Sequence, residues 1–123
     1  MPRRTLCGQR VLVVEDEYFL ADELARVFAD AGAEILGPVA TVKGALDLLV
    51  GSARPNAAVL DVNLGGESVY PVADALIGLG VPFLFTTGYD QATIPSRYAS
   101  ARRLEKPMNA ATVLRELGLV LHP

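Results

Sequence analysis

The run Arg10–Val14, RVLVV, is apolar over its last four positions and stops at three acids, Glu15, Asp16 and Glu17. A strand apolar on both faces belongs inside a sheet covered on both sides, as parallel sheets are. The break in polarity then puts the acids at one rim of that sheet. The same grammar recurs. Ala57–Leu60 is a short apolar strand with Asp61 directly after it, and Pro82–Thr86, with FLFT at its core, leads into Thr87 and Gly88.

The segments between these runs change period. From Tyr18 to Ala31, Leu20, Leu24, Val27, Phe28 and Ala31 fall at helical spacing, with Asp22, Glu23, Arg26 and Asp30 between them. Gly32 stands where a helix-terminating glycine is expected. Ala33–Val39 reads as a strand broken by Gly37 and Pro38. Thr41 is an N-cap for a helix through Ala45, Leu46, Leu48 and Leu49. Asn63–Ser68 reads as a loop holding Gly65 and Gly66, and Val72–Leu79 as a helix stopped by Gly80. Asp90–Ser100 is polar, contains Pro95 and has few apolar anchors, so any helix there is short or loose. Arg103–Glu105 reads as a brief edge strand, and Asn109 caps a last helix with Val113, Leu114, Leu117 and Val120 on one face.

Strand and helix thus alternate five times. That order predicts an α/β fold, a flavodoxin-like (βα)5 doubly wound parallel sheet with strand order 2-1-3-4-5. A chain of 123 residues suits one domain spanning 1–123. With 51% apolar residues, and 20% charged residues of both signs, it reads as a soluble globular protein.

Composition removes several function classes. A net charge of −3 argues against nucleic-acid binding. A lone cysteine, Cys7, makes no internal disulfide and suits a reducing compartment. The only histidine, His122, is the penultimate residue and a poor base for Cys7. No apolar stretch approaches the ~20 residues that span a bilayer, and the N-terminus lacks a signal-peptide apolar region. The expected location is cytoplasmic, with no membrane contact.

In an open parallel sheet, ligands bind beyond the carboxyl ends of the strands. Those ends carry Glu15 and Asp16, Asp61, Thr86, Thr87 and Gly88, and Lys106 and Pro107. In the 2-1-3-4-5 order they converge on one region. Clustered carboxylates repel and raise one another's pKa unless a cation compensates. A hard divalent ion such as Mg²⁺ does so, and Lys106 offers a monovalent compensation. Each residue alone also has a plainer role: acids and threonines cap helices, and Lys-Pro makes a turn. Glu17 is read here as a first-turn acid suited to the helix dipole.

The segments VLVVED (Val11–Asp16), AVLDVNL (Ala58–Leu64), PFLFTTGY (Pro82–Tyr89) and EKP (Glu105–Pro107) together resemble the receiver domain of bacterial response regulators. PFLFTTGY further resembles the subset nicknamed FAT GUY, often single-domain regulators, with Thr86 in place of the motif's alanine. The resemblance implies that Asp61 accepts a phosphoryl group from a histidine kinase or histidine phosphotransfer protein. It implies Mg²⁺, with Mn²⁺ as a substitute in vitro, held by Glu15, Asp16, Asp61 and the backbone carbonyl of Asn63. Thr87 is then the hydroxyl that turns toward the phosphate, Lys106 its ammonium partner, and Gly88 the small residue that leaves room. The implied output is binding to a downstream protein by a monomer or weak dimer, without enzymatic turnover beyond slow self-catalysed phosphotransfer and dephosphorylation. Since no DNA-binding segment follows the last helix, output in trans is expected.

One position departs from the pattern. Typical receivers carry an aromatic residue three positions before the lysine, where this chain has Arg103. Tyr89 is the expected replacement, and Asp90–Ser100 the expected moving segment. Two other readings remain open at this point. An Mg²⁺-dependent phosphohydrolase typically places Asp-x-Asp after the first strand and adds a cap, neither of which is present. A phosphorylation-independent interaction module fits less well with a complete acid–lysine set.

Overall fold

The computed structural model describes residues 6–51, 54–88 and 94–122. β1 (Arg10–Val14) leads to α1 (Tyr18–Asp30), β2 (Glu34–Val39), α2 (Val42–Val50) and β3 (Ala57–Asp61). A two-residue hairpin follows, β4 (Asn63–Leu64) and β5 (Glu67–Ser68), then α3 (Tyr70–Leu79), β6 (Phe83–Thr87), a 3-10 turn at Ser96–Tyr98, β7 (Arg102–Glu105) and α4 (Ala110–Leu121). The main sheet runs β2-β1-β3-β6-β7, and all its pairings are parallel. Counted over the sheet strands alone this is the expected 2-1-3-4-5 order, so the flavodoxin-like doubly wound fold stands.

Alternation along the strands sorts the core into two layers. Leu12, Val14, Ala58, Leu60, Phe83 and Phe85 face α2 and α3. Val11, Val13, Ala57, Val59 and Leu84 face α1 and α4, meeting Leu24, Phe28, Val113 and Leu117. Burial of each of the valine, leucine and phenylalanine side chains contributes about 1.5–3 kcal/mol. The caps hold as the sequence predicts: the Thr41 hydroxyl accepts from Gly44 N–H, and Asn109 Oδ1 accepts from Thr112 N–H. No helix among the described residues is long and apolar enough to cross a membrane.

Three expectations need correction. β2 is not broken at Gly37 and Pro38. Gly37 takes φ +93°, the register to β1 shifts there, and the strand resumes at Val39. A Cβ on Gly37 would sit 2.8 Å from Val39 N, so only glycine fits this bulge. The Asn63–Ser68 loop closes as a hairpin, because Gly65 and Gly66 supply the two positive φ values its turn requires. α3 begins two residues before Val72, since Pro71 fits the first helical turn. As expected of the polar segment before β7, its helix is short, a single 3-10 turn at Ser96–Tyr98 among the described residues.

That turn carries a strong anchor where few were expected. Tyr98 is 1% exposed and is the largest fully buried side chain. Its ring stacks on Tyr70 at 5.1 Å and meets Phe85 edge-on at 5.6 Å.

Candidate functional site

Asp61 ends β3 rather than following it, and it is 4% exposed. Its Oδ1 accepts from the Asn63 N–H at 3.1 Å, and its Oδ2 accepts from Lys106 Nζ at 3.1 Å. Lys106 also donates to Glu15 Oε2 at 3.1 Å and lies 3.6 Å from Glu17 Oε2. One ammonium therefore serves carboxylates from β1, the start of α1 and β3. Its backbone is fixed by a bond from Lys106 N–H to the Thr87 carbonyl, continuing the β6–β7 ladder.

Electrostatics follow from burial. Glu15 is 3% exposed, and its pKa is pushed up to about 8. Burial is the main cause, and the neighbouring Asp61 adds to it. The Glu17 N–H and the Lys106 charge offset this only in part. For Lys106, burial opposes the charge, but the bonds to Asp61 and Glu15 outweigh it and hold the pKa above the ordinary lysine value.

The acids test well as a metal centre. Glu15, Asp16 and Asp61 each offer an oxygen within 4.8 Å of the others. Two ligands on opposite sides of Mg²⁺ lie about 4.2 Å apart, so small movements close the shell. Glu15 Oε1 is buried with no hydrogen-bond partner, which leaves one carboxylate lone-pair set for a cation. Asp16 is exposed at the rim beside the hairpin turn, where a Cβ on Gly65 would lie 3.8 Å from Asp16 Oδ2. All-oxygen donors suit a hard cation.

The sequence-predicted residues are distributed as follows. Glu15, Asp16, Asp61 and Lys106 come together. Asn63 bonds Asp61 through its N–H, while its side-chain Oδ1 accepts from Gly66 N–H across the hairpin. Thr87 ends β6 and is buried. Strand alternation puts it on the Phe85 face, opposite Asp61, so its hydroxyl reaches Asp61 only over the strand end. Gly88 lies beside Lys106 on a groove of about 660 Å³. Arg103 is exposed on the outermost strand. Tyr89 lies outside the described residues, as does most of the expected moving segment's first half.

One contact escapes the sequence reading. Glu17, expected as a first-turn acid, instead precedes α1 as its N-cap residue without a side-chain capping bond and lies 3.6 Å from Lys106 Nζ, and the signal was the unbroken acid run. Thr86 sits fully buried as the register partner of Asp61. The groove beside Lys106 is walled by Phe19, Leu20 and Met108, with Phe19 82% exposed.

Comparison with known proteins agrees with this geometry. No protein-family model matches the chain. The sensory transduction protein LytT of Bacillus subtilis is 30% identical over 112 residues, covering 88% of this chain and 46% of LytT. The chain spans less than half the length of the curated relatives it matches. The solution structure of SdrG from Sphingomonas melonis Fr1 is 36% identical with a TM-score of 0.79, covering 95% of this chain and 98% of SdrG. A response regulator receiver protein from Burkholderia phymatum is 29% identical with a TM-score of 0.76, covering 94% of this chain and 96% of that one. A five-stranded parallel sheet, an acid–lysine site at its carboxyl rim and full-length similarity to such proteins converge: the chain belongs to the receiver-domain family of response regulators in two-component signalling.

Proposed function

We propose that this receiver is controlled by phosphorylation of Asp61, taking its phosphoryl group from a phosphohistidine on a kinase or phosphotransfer protein. The observation that carries this reading is the Lys106 ammonium, 3.1 Å from both Asp61 and Glu15 inside a cluster of acids. A buried aspartate next to a fixed ammonium is a nucleophile whose partner can follow the incoming negative charge.

Glu15, Asp16, Asp61 and the carbonyl of Asn63 are the residues to hold Mg²⁺. When bound, Mg²⁺ supplies the positive charge that lets a dianionic phosphoryl group approach a carboxylate. An Asp61 oxygen attacks phosphorus, the new O–P bond forms, and the P–N bond to the donor imidazole breaks. Lys106 turns its N–H groups to the phosphoryl oxygens. Thr87 brings its hydroxyl over the end of β6, and Gly88 leaves the room this needs. Positioning and charge neutralisation are the whole of the catalysis, as expected for phosphoryl transfer. The groove beside Lys106, with Phe19 on its wall, offers the donor protein an apolar contact next to the acceptor. The consequence is altered binding to a downstream protein, with at most slow self-catalysed turnover.

Mass spectrometry after incubation with phosphoramidate and Mg²⁺ tests the reading. Wild type gains one phosphoryl group, and Asp61→Asn gains none. Labelling that persists in Asp61→Asn, or rapid multiple turnover of small phosphate esters, sinks it.

A further inference from the structure

Two buried side-chain atoms among the described residues lack a hydrogen-bond partner, Glu15 Oε1 and Thr86 Oγ1. They flank Asp61. Val14 pairs with Leu60, which carries Glu15 alongside Asp61, and Asp61 pairs with Thr86. Alternation places all three on the α1–α4 face of the sheet, above Val13, Val59 and Leu84. A divalent cation accounts for the Glu15 oxygen. It does not account for Thr86, which lies across Asp61 from Glu15. A hydroxyl held at 0% exposure without a partner costs free energy that alanine or valine would not. Position 86 is also where the chain departs from the FAT GUY pattern by adding that hydroxyl.

Lys106 connects the two facts. It leaves β7, two strands from Asp61, and at about 4.8 Å per strand it must span nearly 10 Å of sheet. Its side chain therefore crosses β6 to reach Asp61 Oδ2, and the residue β6 presents on that face at that level is Thr86. While Lys106 serves Asp61 Oδ2, the Thr86 hydroxyl has nothing to do. Once Lys106 follows a phosphoryl group away from that oxygen, a nearby donor is lacking on the β6 side.

We propose that Thr86 is a positioning residue that takes over from Lys106: its hydroxyl donates to the Asp61 oxygen that Lys106 releases, and so holds the phosphorylated carboxyl in place. This rests on Asp61 being the phospho-acceptor. It makes Thr86 act through Asp61, distinct from Thr87, whose hydroxyl serves the phosphoryl oxygens.

Beryllofluoride with Mg²⁺, a tetrahedral phosphoryl mimic that binds aspartate carboxylates, gives the test by calorimetric titration. Thr86→Val, which keeps the shape and drops the hydroxyl, should bind it roughly fivefold more weakly, the worth of one net hydrogen bond. Thr86→Ser should stay within about twofold of wild type, because it keeps the hydroxyl. The thermal midpoint of the metal-free protein should move the other way, rising in Thr86→Val because an unpaired buried hydroxyl is removed. A purely structural hydroxyl cannot give that opposed pair of changes. Thr86→Val that binds beryllofluoride as tightly as wild type overturns the takeover while leaving the acceptor role of Asp61 intact. Wild type that binds no beryllofluoride overturns the acceptor reading itself, and the takeover with it.

Discussion

The Tyr98 hydroxyl lies 2.5 Å from Asp74 Oδ1, tying the turn before β7 to the outer side of α3. Arg97 closes the arrangement from the solvent side, 3.3 Å from the same carboxylate and 4.5 Å above the Tyr98 ring. The ring itself rests on Phe85, two residues before Thr87. A short segment with few apolar residues is thus fixed by one aromatic side chain and one carboxylate.

The ring and the hydroxyl should separate cleanly by mutation. Tyr98→Ala empties a fully buried aromatic site and should cost about 3–5 kcal/mol in urea unfolding. Tyr98→Phe keeps the packing and should cost only a small fraction of that. Equal losses in the two variants would mean that the ring contacts contribute little.

Titration should show the same contact. The Tyr98 hydroxyl bond, and then Arg97, hold the Asp74 carboxyl below its ordinary pKa. Its contribution to stability is therefore present above the ordinary aspartate range and is lost as pH falls through the lowered value. At the other end, burial and the Asp74 carboxylate push the Tyr98 phenol up to about 12. Stability from the neutral phenol is complete below the ordinary tyrosine range and is lost as pH rises through about 12. Ultraviolet titration should find Tyr98 still neutral at pH 11, and early ionisation of Tyr98 would contradict the contact.

At the acid–lysine site Glu15 gives a slope opposite to that of Asp74. Its pKa in the folded protein, about 8, lies above the ordinary 4.5. The folded state then binds the extra proton, so metal-free stability should fall as pH rises from about 4.5 to about 8. A divalent cation needs the ionised carboxylate, so its affinity should climb over the same window, and binding at neutral pH should release a proton. Calorimetry in buffers of different ionisation heat measures that release. Glu15→Gln should abolish it, and a variant that still releases the proton would assign it elsewhere.

How much of this was legible beforehand depends on the range of the signal. β1, α1 and the Thr41 and Asn109 caps were readable because apolar period and cap chemistry are local. The site acids and Lys106 were readable because each lies at or just past the end of its strand, so topology alone brings them together. Tyr98 was not readable, because its partners Tyr70, Asp74 and Phe85 are distant in sequence and a lone tyrosine in a polar stretch has no period. The Gly37 bulge looked like a strand end because glycine and proline mark both, and only the resumed pairing at Val39 tells them apart.

Gly37 supplies a backbone prediction. Its φ of +93° and the 2.8 Å approach to Val39 N leave no space for a side chain. Gly37→Ala should destabilise by about 1–3 kcal/mol, the usual cost of a strained backbone position. Denaturant melts at pH 7 measure this, and an unchanged midpoint would mean that the bulge rebuilds freely.

Arg103, exposed on β7, has a consequence beyond the site. β7 is one rim of the sheet, and Arg102 and Arg103 set two guanidinium groups along it. The opposite rim, β2, carries the Gly37 bulge and Pro38, which has no N–H to offer a neighbouring strand. Strand addition needs a flat rim with free donors and no repulsion. Charge on one rim, where Arg102 is paired with Glu116 and Arg103 is exposed, and the bulge and proline on the other, each work against the addition of a further strand to this sheet.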